Sequence, residues 1–64
     1  SIDAAFAAGM IMHHQMAVDM ARDILEYTDY EEIRTMAQNI IDVQEKEIAR
    51  MEKIVKEQQE SQQE

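Results

Sequence analysis

The stretch "FAAGMIMHHQMAVDMA", residues 6–21, decides how this chain folds and what it can bind. It holds four of the six methionines and both histidines of the chain, all between residues 10 and 20. Methionine packs adequately in a hydrophobic core, but its flexible thioether specifies a core poorly and is also a soft metal ligand. The stretch therefore has two interpretations, the core of a helical protein and a metal-binding face.

Length and charge limit the function classes that fit the chain. It has 64 residues, 14 acidic and six basic side chains, a net charge of −8 and no cysteine. This charge argues against nucleic acid and anionic membrane surfaces as partners, and no apolar run approaches the roughly 18 residues that a membrane helix needs. Because no initiator methionine precedes Ser1, we expect a processed chain or a fragment of a longer exported protein.

The apolar residues of the first half recur at helical spacing, about 100° apart per residue. The chain has no proline and one glycine, so nothing in the composition favours strands. We predict a first helix from about residue 4 to about residue 26, with Asp3 as its N-cap. The predicted buried stripe of this helix consists of Ile2, Phe6, Met10, His13, Ala17, Met20 and Ile24.

A break is predicted at "EYTDYEE", residues 26–32, where Thr28 with Glu31, or Asp29 with Glu32, fits a capping box. A second helix should run from about residue 29 to about residue 57, followed by a polar tail, residues 58–64, that frays. Its predicted buried stripe consists of Ile33, Met36, Ala37, Ile40, Val43, Gln44, Glu47, Ile48, Met51, Ile54 and Val55.

The short connection predicts an all-α fold, an antiparallel two-helix hairpin in a single domain, residues 1–64. A hairpin of this size buries little apolar surface, so we expect another chain, a missing segment or a metal to contribute to its stability. We expect homodimerisation, in which two copies complete an antiparallel four-helix bundle.

Two polar residues, Gln44 and Glu47, interrupt the second stripe where burial is expected. If the turn centres near residue 29, both histidines lie near Gln44 and Met10 lies near Glu47. In this arrangement His13 points into the hairpin and His14 lies toward its edge. The predicted buried cluster is Met10, His13, His14, Gln44, Glu47 and Met51, with Met16 and Met20 further along the first helix.

Thioether and neutral imidazole together suit copper(I) and its analogue silver(I), with Glu47 as an acceptor that orients an imidazole or as an occasional ligand. Gln44 and Met51 are further alternatives. A second interpretation is a structural or oligomerisation module in which the histidines only form a hydrogen-bond network with Gln44 and Glu47. A third is a bundle whose assembly responds to histidine protonation. Catalysis has no support, because there is no cysteine nucleophile, no serine near a histidine and no H-E-x-x-H motif.

The two patterns together resemble the ferritin-like domain-of-unknown-function family 305. Members carry a phenylalanine and M-I-x-H-H-x-x-A-x-x-M-A, and later A-x-x-I-x-x-x-Q-x-x-E-I-x-x-M; here these begin at Phe6, Met10 and Ala37. The resemblance implies a helical bacterial protein outside the cytoplasm, in the periplasm or at the cell surface; some members of the family bind copper or silver through histidine and methionine. Many members are longer, with further helices or a second copy of the unit. The metal ligands implied by the resemblance are His13, His14, Met10, Met16 and Met20.

Overall fold

The chain folds as two long α-helices that pack against each other in antiparallel orientation. The computed structural model describes residues 1–62, with α1 at Ile2–Tyr27 and α2 at Glu31–Gln62. The hairpin is a rod with principal extents of 52 × 14 × 14 Å. No strand occurs among the described residues. The predicted all-α helical hairpin is thus confirmed.

The open end of the hairpin is fixed by Ser1. Its hydroxyl accepts a hydrogen bond from the Ala4 N–H at 3.1 Å and donates one to Gln58 Oε1 at 3.0 Å. Ser1 is therefore the N-cap of α1, whereas the sequence favoured Asp3. Asp3 lies in the first helical turn, where its negative charge interacts favourably with the helix dipole.

The turn is closed by hydrogen bonds from both helices. Thr28 has extended backbone angles, and its hydroxyl accepts from the Tyr30 N–H at 3.1 Å. The Arg34 guanidinium donates to the carbonyl oxygens of Leu25, at 2.8 Å, and Thr28, at 3.1 Å, which satisfies acceptors at the end of α1. α2 begins at Glu31, two residues later than expected, and continues beyond residue 57 into the predicted tail. Residues 63 and 64 of that tail lie outside the described residues.

The core between the helices is narrow and built largely from small side chains. Its buried cluster contains Val18, Ala21, Ala37 and Ile41, against which Leu25, Ile40 and Ile48 pack. In α1 the buried residues follow each other at intervals of three, four or seven, the spacing of a helix seam. We call this line the inner seam of α1, and it consists of Ala7, His14, Val18 and Ala21.

The buried stripe predicted for α1 is wrong, because most of it lies on the surface. Phe6 is 67% exposed, Met20 is 71% exposed, and Ile2 and Ile24 are also exposed. α1 is apolar over a wide arc, and the hairpin buries the seam about 100° around the helix from the predicted stripe. We call the exposed arc the outer apolar face of α1, and it consists of Ile2, Phe6, Met10, His13, Met16, Met20 and Ile24.

Candidate functional site

His14 and Glu47 form a polar pair at the middle of the hairpin. His14 is only 8% exposed, although histidine is polar. Its Nε2 lies 2.6 Å from Glu47 Oε2 on α2, and its Nδ1 lies 2.8 Å from the backbone carbonyl oxygen of Met10, one turn earlier in α1. Polar side chains of the two helices therefore meet across the core, as the sequence predicted for this level.

The hydrogen bonds of His14 determine where its protons lie. A carbonyl oxygen can only accept, so Nδ1 must carry a proton and donate it to Met10. One further proton lies between Nε2 and Glu47 Oε2, which gives either an imidazolium with a carboxylate or a neutral pair. Both ring nitrogens of His14 are consequently occupied by the protein itself. A metal ion at Nε2 would have to displace both this proton and Glu47.

The two histidines have exchanged the places that the sequence predicted for them. His14 points into the hairpin, whereas His13 is exposed on the outer apolar face of α1. Their ring centroids are 6.0 Å apart, as expected for successive residues about 100° apart on a helix. His14 also meets Glu47 and not Gln44, because the register between the helices differs by three residues from the predicted one.

Gln44, the other polar residue of the α2 stripe, is not satisfied within the hairpin. Its Oε1 is buried, and no hydrogen-bond partner for it exists among the residues that the structure describes. A buried acceptor without a partner costs about 1–3 kcal/mol. Gln44 borders an open depression on α2 together with Met36, Ile40 and Val43. The surface of α2 around Gln44 therefore has exposed apolar side chains next to a buried polar atom that has no partner among the described residues.

The methionines predicted as ligands do not form one buried cluster. Met16 is 64% exposed and Met20 is 71% exposed, while Met10 and Met51 are half-buried. Since His13, Met16 and Met20 follow each other at intervals of three and four, they share one exposed face. Met12, 72% exposed, lies four residues before Met16 and about 100° around α1 from His13. Among residues 1–59, whose side chains the structure describes, no three or more His, Cys, Asp or Glu side chains cluster closely enough to hold a metal ion.

A groove of about 640 Å³ runs between the helices near the turn and continues the outer apolar face of α1. Its floor is formed by the small side chains of Ala21 and Ala37, which the sequence analysis had not assigned to a site. On the α1 side, the sequence indicates such a floor through Ala17 and Ala21, two small residues that are four positions apart and therefore neighbours on one helix face. The remaining lining residues are Met20, Asp23, Ile24, Tyr27, Ile33, Met36 and Ile40.

Helix length alone does not make either helix a membrane span. In the part of the chain that the structure describes, neither α1 nor α2 has a stretch apolar enough to cross a bilayer.

The fold and these surfaces define a class of protein, an acidic two-helix hairpin with a buried His–Glu pair and an exposed histidine- and methionine-rich face. The chain belongs to the family described as Domain of unknown function (DUF305), whose family model matches residues 2–64. The match confirms the family resemblance seen in the sequence. Neither the comparison with curated proteins nor that with solved structures found a significant match.

Proposed function

We propose that this protein binds a soft metal ion, copper(I) or its analogue silver(I), on the outer apolar face of α1. A second copy covers this face and completes a four-helix bundle. The observation that carries the proposal is the alignment of His13, Met16 and Met20 on one exposed helix face. The biological role that fits such binding is metal tolerance, storage or delivery outside the cytoplasm, as the family resemblance implies.

The donor set fits a soft monovalent ion. Thioether sulfur and neutral imidazole nitrogen both prefer copper(I), whereas magnesium or calcium would require several oxygen ligands. Met10, three residues before His13 and half-buried, adds a fourth soft donor at the edge of the face. His14 has a different role here, because its hydrogen bonds to Met10 and Glu47 hold the helices in register beneath the site.

Surface area supports the second copy. The hairpin has an accessible surface of 5122 Å², whereas a compact monomer of its 7.5 kDa mass would have about 4,250 Å². The excess of about 900 Å² reflects the elongated shape of the hairpin, which leaves a long face available for an interface of standard size, where each partner buries roughly 800 Å². Much of the exposed apolar surface lies on one side, along the outer apolar face of α1 and the groove.

A second candidate function is a structural or oligomerisation module without metal. The observation that favours it is the completed hydrogen bonding of His14, whose two nitrogens already have partners at 2.8 and 2.6 Å. In that case the methionines of the outer apolar face act only as adaptable packing surface. This alternative predicts the same dimer but no rise in melting temperature when copper(I) is added.

The two functions are separated by titrating copper(I) against a competing chelator. We expect His13→Ala, Met16→Leu and Met20→Leu each to weaken binding at least about tenfold, a loss of about 1.4 kcal/mol. The methionine substitutions remove sulfur while nearly conserving volume. Met36→Leu is the matched control, because Met36 is 57% exposed but lies on α2, eleven residues before Glu47 and so about 16 Å along the hairpin from the level of the histidines. Equal affinities for all five proteins would overturn the metal site and leave the structural module.

A further inference from the structure

We infer that the second copy docks antiparallel to the first, so that the open end of each hairpin covers the groove beside the turn of the other. The open end is the end with Ile2, Phe6 and Ile54, and the turn end is the end with residues 28–30. The inference rests on the dimer of the proposed function and adds its orientation and register. Four features of the hairpin support it: the shapes of its two ends, the positions of Phe6 and of the groove along α1, the distribution of charged residues, and the glycine at position 9.

The two ends of the hairpin have complementary shapes. At the turn end, the alanine floor leaves an apolar groove of about 640 Å³. At the open end, large apolar side chains stand on the surface: Ile2 is 84% exposed and Phe6 is 67% exposed. A two-fold dimer repeats each contact, so one antiparallel arrangement fills both grooves with the aromatic side chains of the opposite copies. A parallel arrangement would instead place groove against groove and Phe6 against Phe6.

The register follows from the positions of Phe6 and the groove. The groove extends along α1 from Ala17 to Tyr27 and is therefore centred near residue 22. Docking Phe6 of one copy at this level places the two-fold axis about midway between residues 6 and 22, near residue 14. The His13 and His14 layers of both copies then meet at the axis. The unpaired Oε1 of Gln44, close to this level on α2, gains polar neighbours from the second copy.

The charge distribution also favours the antiparallel orientation. Residues 19–34, around the turn, contain six acidic and two basic side chains. Residues 46–56, toward the open end, contain four of the six basic side chains of the chain and two acidic ones, a net charge of +2 against −4 around the turn; the basic residues are Lys46, Arg50, Lys53 and Lys56. Antiparallel docking brings the acidic turn end of one copy near the basic half of α2 in the other, whereas parallel docking juxtaposes two acidic ends.

Gly9 supports a close approach along this face. It lies inside α1, beside the outer apolar face, where glycine costs about 1 kcal/mol relative to alanine. A Cβ atom at this position would meet nothing within 4 Å, so the hairpin itself provides no reason for a glycine. A second copy packed against α1 at this level provides one, because a missing side chain allows helices to approach closely.

Spin labels test the orientation directly. The chain has no cysteine, so Asp29→Cys places one nitroxide per copy at the turn, and Gln15→Cys places one near the proposed axis. At about 1.5 Å per residue, pulsed electron paramagnetic resonance should give roughly 45 Å between the two turn labels. The Gln15 labels differ by only about 3 Å along the bundle axis and should be much closer together than the turn labels, which checks that the labelled chains pair.

The outcomes separate this inference from the proposed function. Turn labels less than about 20 Å apart would show a parallel dimer and overturn the orientation, while copper(I) binding could still be demonstrated on that dimer. An absence of any dipolar coupling from both label positions would overturn the second copy altogether. An antiparallel dimer without copper(I) affinity would retain the orientation and reject the metal site.

A substitution provides a second measurement that does not depend on labels. Phe6 is exposed in the single hairpin, so Phe6→Ala should leave the helical content of the monomer unchanged. Because each dimer buries two copies of Phe6, the dimer dissociation constant should rise at least about 100-fold. Gln15→Ala, at an exposed position about 180° around α1 from Phe6, should change it less than about threefold. Equal dissociation constants for both variants would contradict the docking of Phe6 in the groove.

Discussion

The inner seam and the outer apolar face of α1 differ in the size of their side chains and in what covers them. The seam contains Ala7, Val18 and Ala21, which are nearly fully buried against α2. The outer face contains Phe6 and Met20, which are larger and more than 60% exposed. Small residues allow two helices to approach closely, whereas large apolar residues gain more from burial. The hairpin thus uses the weaker apolar face of α1 and leaves the stronger one for another surface.

The adjacent histidines show the same difference between the two faces. His14 belongs to the seam, and its two nitrogens bind Met10 and Glu47. His13 belongs to the outer face and is exposed. Two residues with identical side chains therefore lie in different surroundings, because successive positions on a helix are about 100° apart. His14 stabilises the hairpin, and His13 is the histidine available to a ligand or partner.

The largest expected effect tests whether the seam, and not the outer face, holds the hairpin together. Val18 is 1% exposed, so Val18→Asp should lower the free energy of unfolding by about 3 kcal/mol or more, because it buries an unpaired charge. Met20→Asp should change it by less than about 0.5 kcal/mol when the chain is dilute enough to be monomeric. Urea unfolding followed by circular dichroism measures both. Equal losses of unfolding free energy in the two variants would show that the outer apolar face contributes as much to the stability of the hairpin as the inner seam.

An intermediate effect is expected from the polar pair within the seam. His14→Leu or Glu47→Leu alone leaves the other polar group unpaired and should destabilise the hairpin by about 1–3 kcal/mol. The double variant should recover much of this loss, since both polar groups are then absent. Because the Glu47 side chain is 46% exposed, water screens the pair and a coupling near the lower limit is expected.

The exposed ion pair Arg22–Glu45, 3.3 Å long, is the control for that double-mutant cycle. Both side chains are more than half exposed, so replacing them with alanine should give a coupling below about 1 kcal/mol. A His14–Glu47 coupling no larger than the Arg22–Glu45 coupling would remove the structural role assigned to His14.

The smallest expected effect comes from Gly9→Ala, which should act in opposite directions on the stability of the hairpin and on the affinity of the proposed dimer. Gly9→Ala should raise the stability of the monomeric hairpin by up to about 1 kcal/mol, because the added Cβ has open space and favours helix. The same substitution should weaken the proposed dimer, because the added Cβ would lie on the face that the second copy is proposed to cover. Unfolding curves at low and high protein concentration measure the two effects separately. A gain in stability that is equal at all concentrations would exclude close packing at Gly9.

Much of the fold could be predicted from local signals. Helical periodicity, the absence of proline and the polar break around Thr28 were sufficient for two helices and a short turn. The helix starts were less accurate, because several capping residues competed. Ser1 and Asp3 both suit an N-cap, and only the contact of Ser1 with Ala4 and Gln58 decides between them.

The candidate site could be predicted only in part. That polar side chains of the two helices meet at this level followed from pairing polar residues across a buried seam. The partner did not follow, because the sequence placed Gln44 near the histidines, whereas Glu47 contacts His14. The sequence did not predict which of the two histidines, His13 or His14, faces α2, because α1 has apolar residues both along the inner seam and along the outer apolar face. Hydrophobic periodicity selects the face with the larger side chains, whereas the hairpin packs the face with Ala7, Val18 and Ala21. A single sequence contains no signal for which face pairs within the chain.

The central claim is that a second copy covers the outer apolar face of α1. Sedimentation equilibrium on the unmodified chain tests it most directly. We predict a molar mass twice the 7.5 kDa of one chain, decreasing toward that of one chain on dilution or in Phe6→Ala. A mass of one chain at every concentration up to about 1 mM, where even a weak complex of about −4 kcal/mol would form, would contradict it.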